Sequence, residues 1–372
     1  LMSFSAFWHA GALHSLSMTT TTQKPNSPGP PSAAAGSGTG TGAGAGRIVA
    51  LDVARGIAVA AMIVAHLYPP PGLAGELFSG FPAALFAVLS GVSLHLMMGR
   101  GKPDGSRRRC IAVIVRGLIL IALGTVMAPH TGTIVVVLTV TGLGYVVGGL
   151  ARIARWRLPA LAGLFVALVA VAAAVHLWAV NSPIPGILRE PYPLPLWLAY
   201  LVAGVIAGRL LVGRTRTALL GVAGTGAALA AGGIAARDML GAATSTQPVH
   251  ALVDATAHSG GLIDTVATTG GAIAVIAMCM TAVRGAAEAF AFPFAATGAM
   301  SLTVYTAHAL SFGAVVGVSN QIYFPGLAAI TLLAAVTFCT VWRSFFRRGP
   351  LEAALAWAAS RTARAFAPTH SS

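Results

Sequence analysis

Charged residues are scarce in this chain of 372 residues, since Asp, Glu, Lys and Arg together make up 9% of it. A soluble globular domain carries about 25% charged residues. Hydrophobic residues make up 56%, and apolar runs of about 20 residues, each long enough to cross a bilayer, recur between residues 48 and 342. The composition therefore excludes an ordinary soluble domain and predicts an all-α integral membrane protein whose main partner is the lipid bilayer.

Cysteines are also few. Cys110, Cys279 and Cys339 lie in or at the ends of separate predicted helices, and no two of them have the spacing of a metal or redox pair. The sequence also lacks a phosphate-binding loop, a zinc protease motif and a dinucleotide fingerprint. We therefore interpret the cysteines as small packing residues and expect no metal site.

Ten transmembrane helices in one bundle are predicted from the apolar runs. Their bounds are 48–68, 78–98, 110–128, 132–151, 159–179, 194–212, 217–235, 261–283, 297–318 and 324–342. The chain outside them divides into a disordered, low-complexity N-terminal tail, 1–46, and a basic C-terminal tail, 346–372, around a membrane domain, 47–345.

The positive charges alternate from loop to loop. Five basic residues lie in the 99–109 loop and three each in the 152–157 and 209–216 loops, whereas the opposite loops hold only Arg189 and Arg237. Basic residues accumulate on the cytoplasmic side of membrane proteins, so both termini are predicted to be cytoplasmic. The net charge of +14 is thus explained by topology, and we expect no nucleic-acid partner.

The first predicted helix is unusual because it carries Asp52, Arg55 and His66. A helix turns by about 100° per residue, so these three side chains share one face, and Asp52 and His66 lie about 21 Å apart along the axis. Ionisable groups in a membrane helix normally face the bundle interior. The pattern fits a site that spans the membrane. Alternatively, Asp52 and Arg55 form only a local ion pair, and His66 is an interfacial histidine beside Tyr68.

The segment "LDVARGIAVAAMIVAH" resembles the first helix of the transmembrane acyltransferase superfamily, and Arg55 and His66 match its Arg-x10-His signature. Three further segments resemble bacterial relatives of heparan-alpha-glucosaminide N-acetyltransferase: "FPAALFAVLSGVSLHLM", "HSGGLIDTVATTGGAIAVIAMCM" and "GAMSLTVYTAHAL". The closing "FFRRGPLEAAL" is similar to the tail of a related, poorly characterised bacterial membrane family. The resemblance covers most of residues 47–360.

This resemblance implies a multi-pass enzyme of the plasma (inner) membrane. It would move an acyl group, expected to be acetyl, from cytoplasmic acyl-CoA to a hydroxyl or amine of an extracytoplasmic sugar or glycolipid. The phosphates of coenzyme A need cations on the cytoplasmic side, and guanidinium groups bind phosphate well. The candidate donor-binding residues are Asp52, Arg55, Arg107, Arg108, Arg109 and Arg116. The arginines of the 107–109 cluster could instead only anchor the topology, and Arg116 could snorkel to the interface.

His66 is the first candidate base, because a neutral imidazole can take the acceptor's proton near neutral pH. Direct attack on the thioester and covalent transfer through the imidazole both remain open. The animal enzymes carry an amide near this position, and their proposed catalytic histidine lies in the following loop. The equivalent loop here, "PPPGLAGELFSG", has only Glu76 as an ionisable group. Either His66 or another outer histidine therefore takes the role.

Two other histidines are catalytic candidates. His308 shares a helix face with Ser301 and Tyr305, and Tyr305 is a substrate-binding candidate; a hydrogen bond, for example to Tyr305, could equally satisfy His308. In the outer loop, His258 could be oriented by Asp264.

Ser259 and Asp264 could bind the acceptor, although a solvated loop with Ser259 as a helix cap explains them too. Ser90 is a further substrate-binding candidate, but "LSGVS" also suits close helix packing. No chemistry is expected of the other outer histidines, His130, His176 and His250.

Two further functions compete with acyl transfer. Buried ions and histidines could serve as the proton relay of a transporter or exporter for a small polar or lipid-linked solute. The chain could also be a non-catalytic partner in an envelope assembly.

Overall fold

Every regular element in the described part of the chain is a helix. The computed structural model describes residues 48–99, 106–188, 191–240, 248–315 and 323–366, so the predicted low-complexity tail lies outside it. Eight of these helices are long and apolar enough to cross a membrane. The predicted class, an all-α multi-pass membrane protein, is confirmed.

The eight long helices match eight of the ten predicted spans to within a few residues. They are α1 (Val49–Leu67), α3 (Phe81–Gly99), α4 (Ser106–Met127), α6 (Leu158–Asn181), α7 (Leu194–Leu211), α8 (Arg216–Leu240), α10 (Leu262–Ala282) and α14 (Pro325–Phe345). Apolar segments of this length become helical in lipid because each backbone amide must find a partner inside its own segment.

The predicted span 132–151 is shorter in the structure. Helix α5 (Leu138–Leu150) has 13 residues and is about 20 Å long, less than the hydrocarbon thickness of a bilayer. The preceding segment is not helical, because its polar groups find other partners. The Thr131 hydroxyl donates to the Ile134 carbonyl at 2.8 Å, and the Val137 amide donates to the Tyr305 hydroxyl at 3.1 Å.

The predicted span 297–318 is broken in the structure. It corresponds to α12 (Phe292–Ala299) and α13 (Ser301–Val315), with Met300 between them, and residues 316–322 lie outside the described part. The break is stabilised by Glu352, whose carboxylate accepts hydrogen bonds from the Leu302 amide at 2.8 Å and the Thr303 amide at 3.1 Å. An acidic group at this position also interacts favourably with the helix dipole.

Four further α-helices are short or peripheral: α2 (Leu73–Glu76), α9 (Pro248–Leu252), α11 (Ala287–Phe290) and α15 (Pro350–Phe366). Helix α15 falls in the segment predicted as a basic tail. It packs against α4 and α13 and buries Ala356, Ala359 and Ala363. The part of the tail that the structure describes is therefore an ordered helix of the bundle.

Small residues allow the central helices to approach closely. A methyl group on Gly204 of α7 would lie 2.8 Å from the Cα of Gly91 in α3, so neither position has room for a side chain. Gly298 of α12 touches the Asp52 carbonyl of α1 in the same way. The packing interpretation of "LSGVS" agrees with this geometry.

We predict that Glu352→Ala lowers the free energy of unfolding by about 1–3 kcal/mol, because two amides at the start of α13 lose their acceptor. Thermal unfolding in lipid nanodiscs, followed by tryptophan fluorescence, measures the change. Glu288→Ala removes an exposed glutamate from α11 and is the control. Equal melting temperatures for the two variants would show that the Glu352 cap does not stabilise the bundle.

Candidate active site

The N-terminal end of α1, which the charge pattern predicts to be cytoplasmic and which is called the inner end below, carries an ion pair that extends to a second helix. Arg55 donates to the Asp52 carboxylate at 2.6 Å and to the Ser93 hydroxyl of α3 at 2.8 Å. Asp52 is buried, with 4% of its surface exposed, and it lines an inner cavity of about 540 Å³ together with Glu288 and Arg343. The pair predicted from the sequence is thus formed and fixes α1 to α3.

The other predicted donor-binding arginines lie on α4. Arg107 is exposed and Arg108 and Arg109 are half-buried in its first turn. Arg116 is also half-buried, two turns further on, within electrostatic range of Tyr145 and Arg348. Arg55 contacts Ser93 in the second half of α3, which ends at Gly99, and α4 begins at Ser106, so the first turn of α4 lies at the same end of the bundle as Asp52.

Two histidines meet between α1 and α13. His66 Nδ1 lies 3.1 Å from His308 Nε2, and the rings are stacked with their centroids 5.4 Å apart and an angle of 9° between them. Phe312 contacts both rings, with each centroid distance 6.5 Å. One ring must donate to the other, so the tautomers of the two histidines are linked.

The hydrogen bond between His308 and Tyr305 that the sequence suggested is not formed. The Tyr305 hydroxyl accepts the hydrogen bond from the Val137 amide, and the side chain is 2% exposed. The structure thus gives Tyr305 the role of holding the irregular segment before α5.

His66 lines a cavity of about 550 Å³ at the C-terminal end of α1, which is called the outer cavity because this end is predicted to be extracytoplasmic. The segment 69–80 forms most of its wall, and Glu76, Ser79 and His258 contribute polar groups. His258 has a left-handed backbone, with φ of 68°, and its ring lies edge-on to Tyr192 at 5.6 Å. The sequence analysis named His66, His258 and Glu76 separately, and the structure brings them to one cavity.

The predicted pairing of His258 with Asp264 is wrong. Asp264 is fully buried, and its Oδ1 accepts a hydrogen bond from Arg237 at 3.1 Å. The carboxylate–imidazole pair of this region is instead Asp254 with His176, at 2.8 Å. Burial alone would raise the pKa of Asp254, but the hydrogen bonds from His176 and the Thr256 amide hold that pKa below its ordinary value.

Two predicted substrate-binding serines serve local structure. The Ser259 hydroxyl accepts from the Gly261 amide at 3.1 Å and is 1% exposed, so it orders the turn before α10. The Ser90 hydroxyl donates to the Phe86 carbonyl at 2.9 Å. Neither hydroxyl lines the outer cavity as the structure describes it.

Arg237 is the residue that sequence reasoning missed. It donates to the Glu76 carboxylate at 3.0 Å, the Asp264 carboxylate at 3.1 Å and the Ala255 carbonyl at 2.6 Å. Its guanidinium also lies over the Phe81 ring at 5.4 Å. The sequence feature that could have identified it is its position, as a single arginine just after the predicted helix 217–235. Arg237 ties the wall of the outer cavity to α8 and α10.

Two family models match the chain. The model described as "Heparan-alpha-glucosaminide N-acetyltransferase, catalytic" matches residues 47–235, about half of the 372 residues. The chain belongs to this family. A second model, "Protein of unknown function (DUF418)", matches residues 214–362, and a comparison with curated proteins finds no match. The family predicted from the sequence is confirmed.

Each of the two family matches covers only part of the site. The N-acetyltransferase match includes Arg55, His66 and Glu76, whereas His258 and His308 fall within the second match. The histidine pair therefore joins a helix from the acetyltransferase match to a helix from the other match.

We predict that Arg237→Met lowers the free energy of unfolding by about 3–5 kcal/mol, because Asp264 is then left as an unpaired buried carboxylate. The double variant Arg237→Met, Asp264→Asn removes both charges and should regain part of this loss. Thermal unfolding of the wild type, the two single variants and the double variant measures the coupling. Strictly additive losses would contradict a direct interaction between Arg237 and Asp264.

Proposed function

We propose that this membrane protein transfers an acetyl group from acetyl-CoA, bound from the cytoplasm, to a hydroxyl or amine of a sugar or glycolipid in the outer cavity. The family supports membrane acetyl transfer in general. The observation that carries the finer proposal is the position of His66, which lines the outer cavity and contacts His308. The membrane is the plasma (inner) membrane, and its outer face is the side of the outer cavity.

His66 is the proposed general base. In this mechanism the proton of neutral His66 lies on Nδ1, 3.1 Å from His308 Nε2, and the lone pair of His66 Nε2 serves the acceptor. The acceptor's O–H or N–H proton passes to Nε2 while the oxygen or nitrogen attacks the thioester carbon. The carbon–sulfur bond then breaks, and the coenzyme A thiolate takes the proton from His66. Positioned proton transfer of this kind contributes a factor of about 10²–10⁴ to a rate.

The outer cavity supplies acceptor contacts. Glu76 and Ser79 present oxygen atoms to it, and His258 presents an imidazole. Sugar hydroxyls donate and accept hydrogen bonds, so this lining suits them. Arg237 holds Glu76 in place from outside the cavity. We assign His258 to acceptor binding beside the base.

The inner end of the bundle supplies the donor contacts. Arg107, Arg108 and Arg109 follow one another in the first turn of α4, and guanidinium groups bind phosphates such as those of acetyl-CoA through paired hydrogen bonds. Arg55 lies eleven residues before His66, a rise of about 16 Å. A flexible pantetheine arm can bridge such a distance between nucleotide and thioester. Asp52 and Ser93 fix the Arg55 side chain at the inner end of this route.

We predict that His66→Ala lowers the release of coenzyme A thiol from acetyl-CoA by a factor of about 10² or more, because the acceptor's proton loses its base. The assay uses protein in lipid nanodiscs with an envelope glycan extract as acceptor. His130→Ala changes an exposed histidine and is the control. Full turnover in His66→Ala would exclude His66 as the base.

Proton-coupled transport is the competing function, since a buried histidine pair could also relay protons. Transport predicts solute flux that depends on a proton gradient and needs no coenzyme A. A wild-type protein that does not bind acetyl-CoA in a calorimetric titration would favour transport over acetyl transfer.

We predict that the triple variant Arg107→Gln, Arg108→Gln, Arg109→Gln raises KM for acetyl-CoA by about tenfold with little change in kcat, because the lost contacts are to parts of the donor that do not react. Added salt should raise the wild-type KM in the same direction. The control is Arg214→Gln, Arg216→Gln, which removes two exposed arginines from another loop. Equal KM values for both variants would contradict a specific donor site on α4.

A further inference from the structure

A groove lies between α13 and α14 and is lined by residues of both helices. Its volume is about 350 Å³, and most of its lining is apolar. Two of its wall residues on α14, Ile330 and Phe338, are 66% and 45% exposed. Since α14 is a lipid-facing span, the groove opens sideways toward the bilayer.

His308 is a buried polar group in the wall of this groove. It is 4% exposed, and its Nδ1 has no hydrogen-bond partner within the described part of the chain. Burying an imidazole nitrogen without a hydrogen-bond partner is unfavourable. An unsatisfied nitrogen at the wall of a groove of this size points to a ligand.

The tautomer of His308 follows from the proposed function, on which this step rests. If His66 Nε2 is the base, His66 Nδ1 carries the proton, and His308 Nε2 accepts the hydrogen bond from that N–H group. The single proton of neutral His308 then lies on Nδ1. The group that completes the site is therefore a hydrogen-bond acceptor, such as an ester, ether or phosphate oxygen.

We propose that the groove binds the hydrocarbon chain of a lipid-linked acceptor, with an oxygen of its linkage accepting from His308 Nδ1. The wall on α13 runs from Thr303 to Ser311, about 12 Å along the helix. The polar headgroup then occupies the outer cavity, on the other side of the histidine pair, beside His66. The substrate class is thus a glycolipid and not a free sugar.

Charge argues against the donor as the occupant of the groove. At its Thr303 end, the hydroxyl of Thr303 donates to the Glu352 carboxylate at 2.7 Å. A carboxylate repels the phosphates of coenzyme A, whereas it does not repel a neutral hydrocarbon chain. The arginines suited to the donor lie on α4 instead.

Photolabelling tests the groove directly. The probe is a dodecyl glucoside that carries a diazirine in its chain, added to the protein in nanodiscs and mapped by peptide mass spectrometry. Ala334→Phe fills the groove, and Ala329→Phe places the same ring on the same helix at an exposed position outside the groove. We expect labels on segments 303–311 and 330–338 that fall about tenfold in Ala334→Phe and stay unchanged in Ala329→Phe.

Two results would overturn the proposal. Labels spread over all lipid-facing helices, and equal in both variants, would mean that ordinary bilayer lipid was detected. Labelling of the groove by a diazirine-bearing palmitoyl-CoA, but not by the glucoside, would assign the groove to the donor.

An assay of thiol release from acetyl-CoA tests this lipid-binding proposal independently of the proposed function. Dodecyl glucoside should be acetylated about tenfold better than methyl glucoside, and Ala334→Phe should abolish that preference while Ala329→Phe keeps it. Equal use of the two glucosides by the wild type would retain acetyl transfer and reject the lipid site. Groove labelling that depends on Ala334 without any acetyl transfer would retain the lipid site and reject the proposed function.

Discussion

The contact between His66 and His308 is the interaction on which the rest of the site depends. It joins α1 to α13 across 242 residues of sequence and links the proton positions of the two rings. One ring faces a polar outer cavity, and the other borders a groove that opens to lipid. A hydrogen bond between two imidazoles in an apolar environment is strong only when each has a defined tautomer. The tautomer of one ring therefore sets the tautomer of the other.

The bundle surrounds this contact with groups that hold each helix in register. At the inner end, Arg55 fixes α1 to α3, and Glu352 holds the start of α13. At the outer end, Arg237 fixes Glu76 and Asp264. Each anchor satisfies polar groups that would otherwise be buried without partners, which is a strict requirement inside a bilayer.

The sequence predicted what is local and missed what joins distant segments. Eight spans and the shared face of Asp52, Arg55 and His66 follow from apolar length and helical periodicity, which act within one segment. The pairing of Arg237 with Asp264, and of His176 with Asp254, depends on how helices are arranged around one another. No spacing encodes that arrangement, so Asp264 was assigned to His258. The break at Met300 was missed for the same reason, because Glu352 stabilises it from another helix.

The position of Glu352 has a consequence for biosynthesis. Helix α13 carries His308, yet the carboxylate that holds its first turn comes 44 residues after that histidine, in α15. A ribosome delivers α1 and His66 to the membrane long before α15 leaves the exit tunnel. The first turn of α13 therefore gains its carboxylate anchor only after almost the whole chain has been translated.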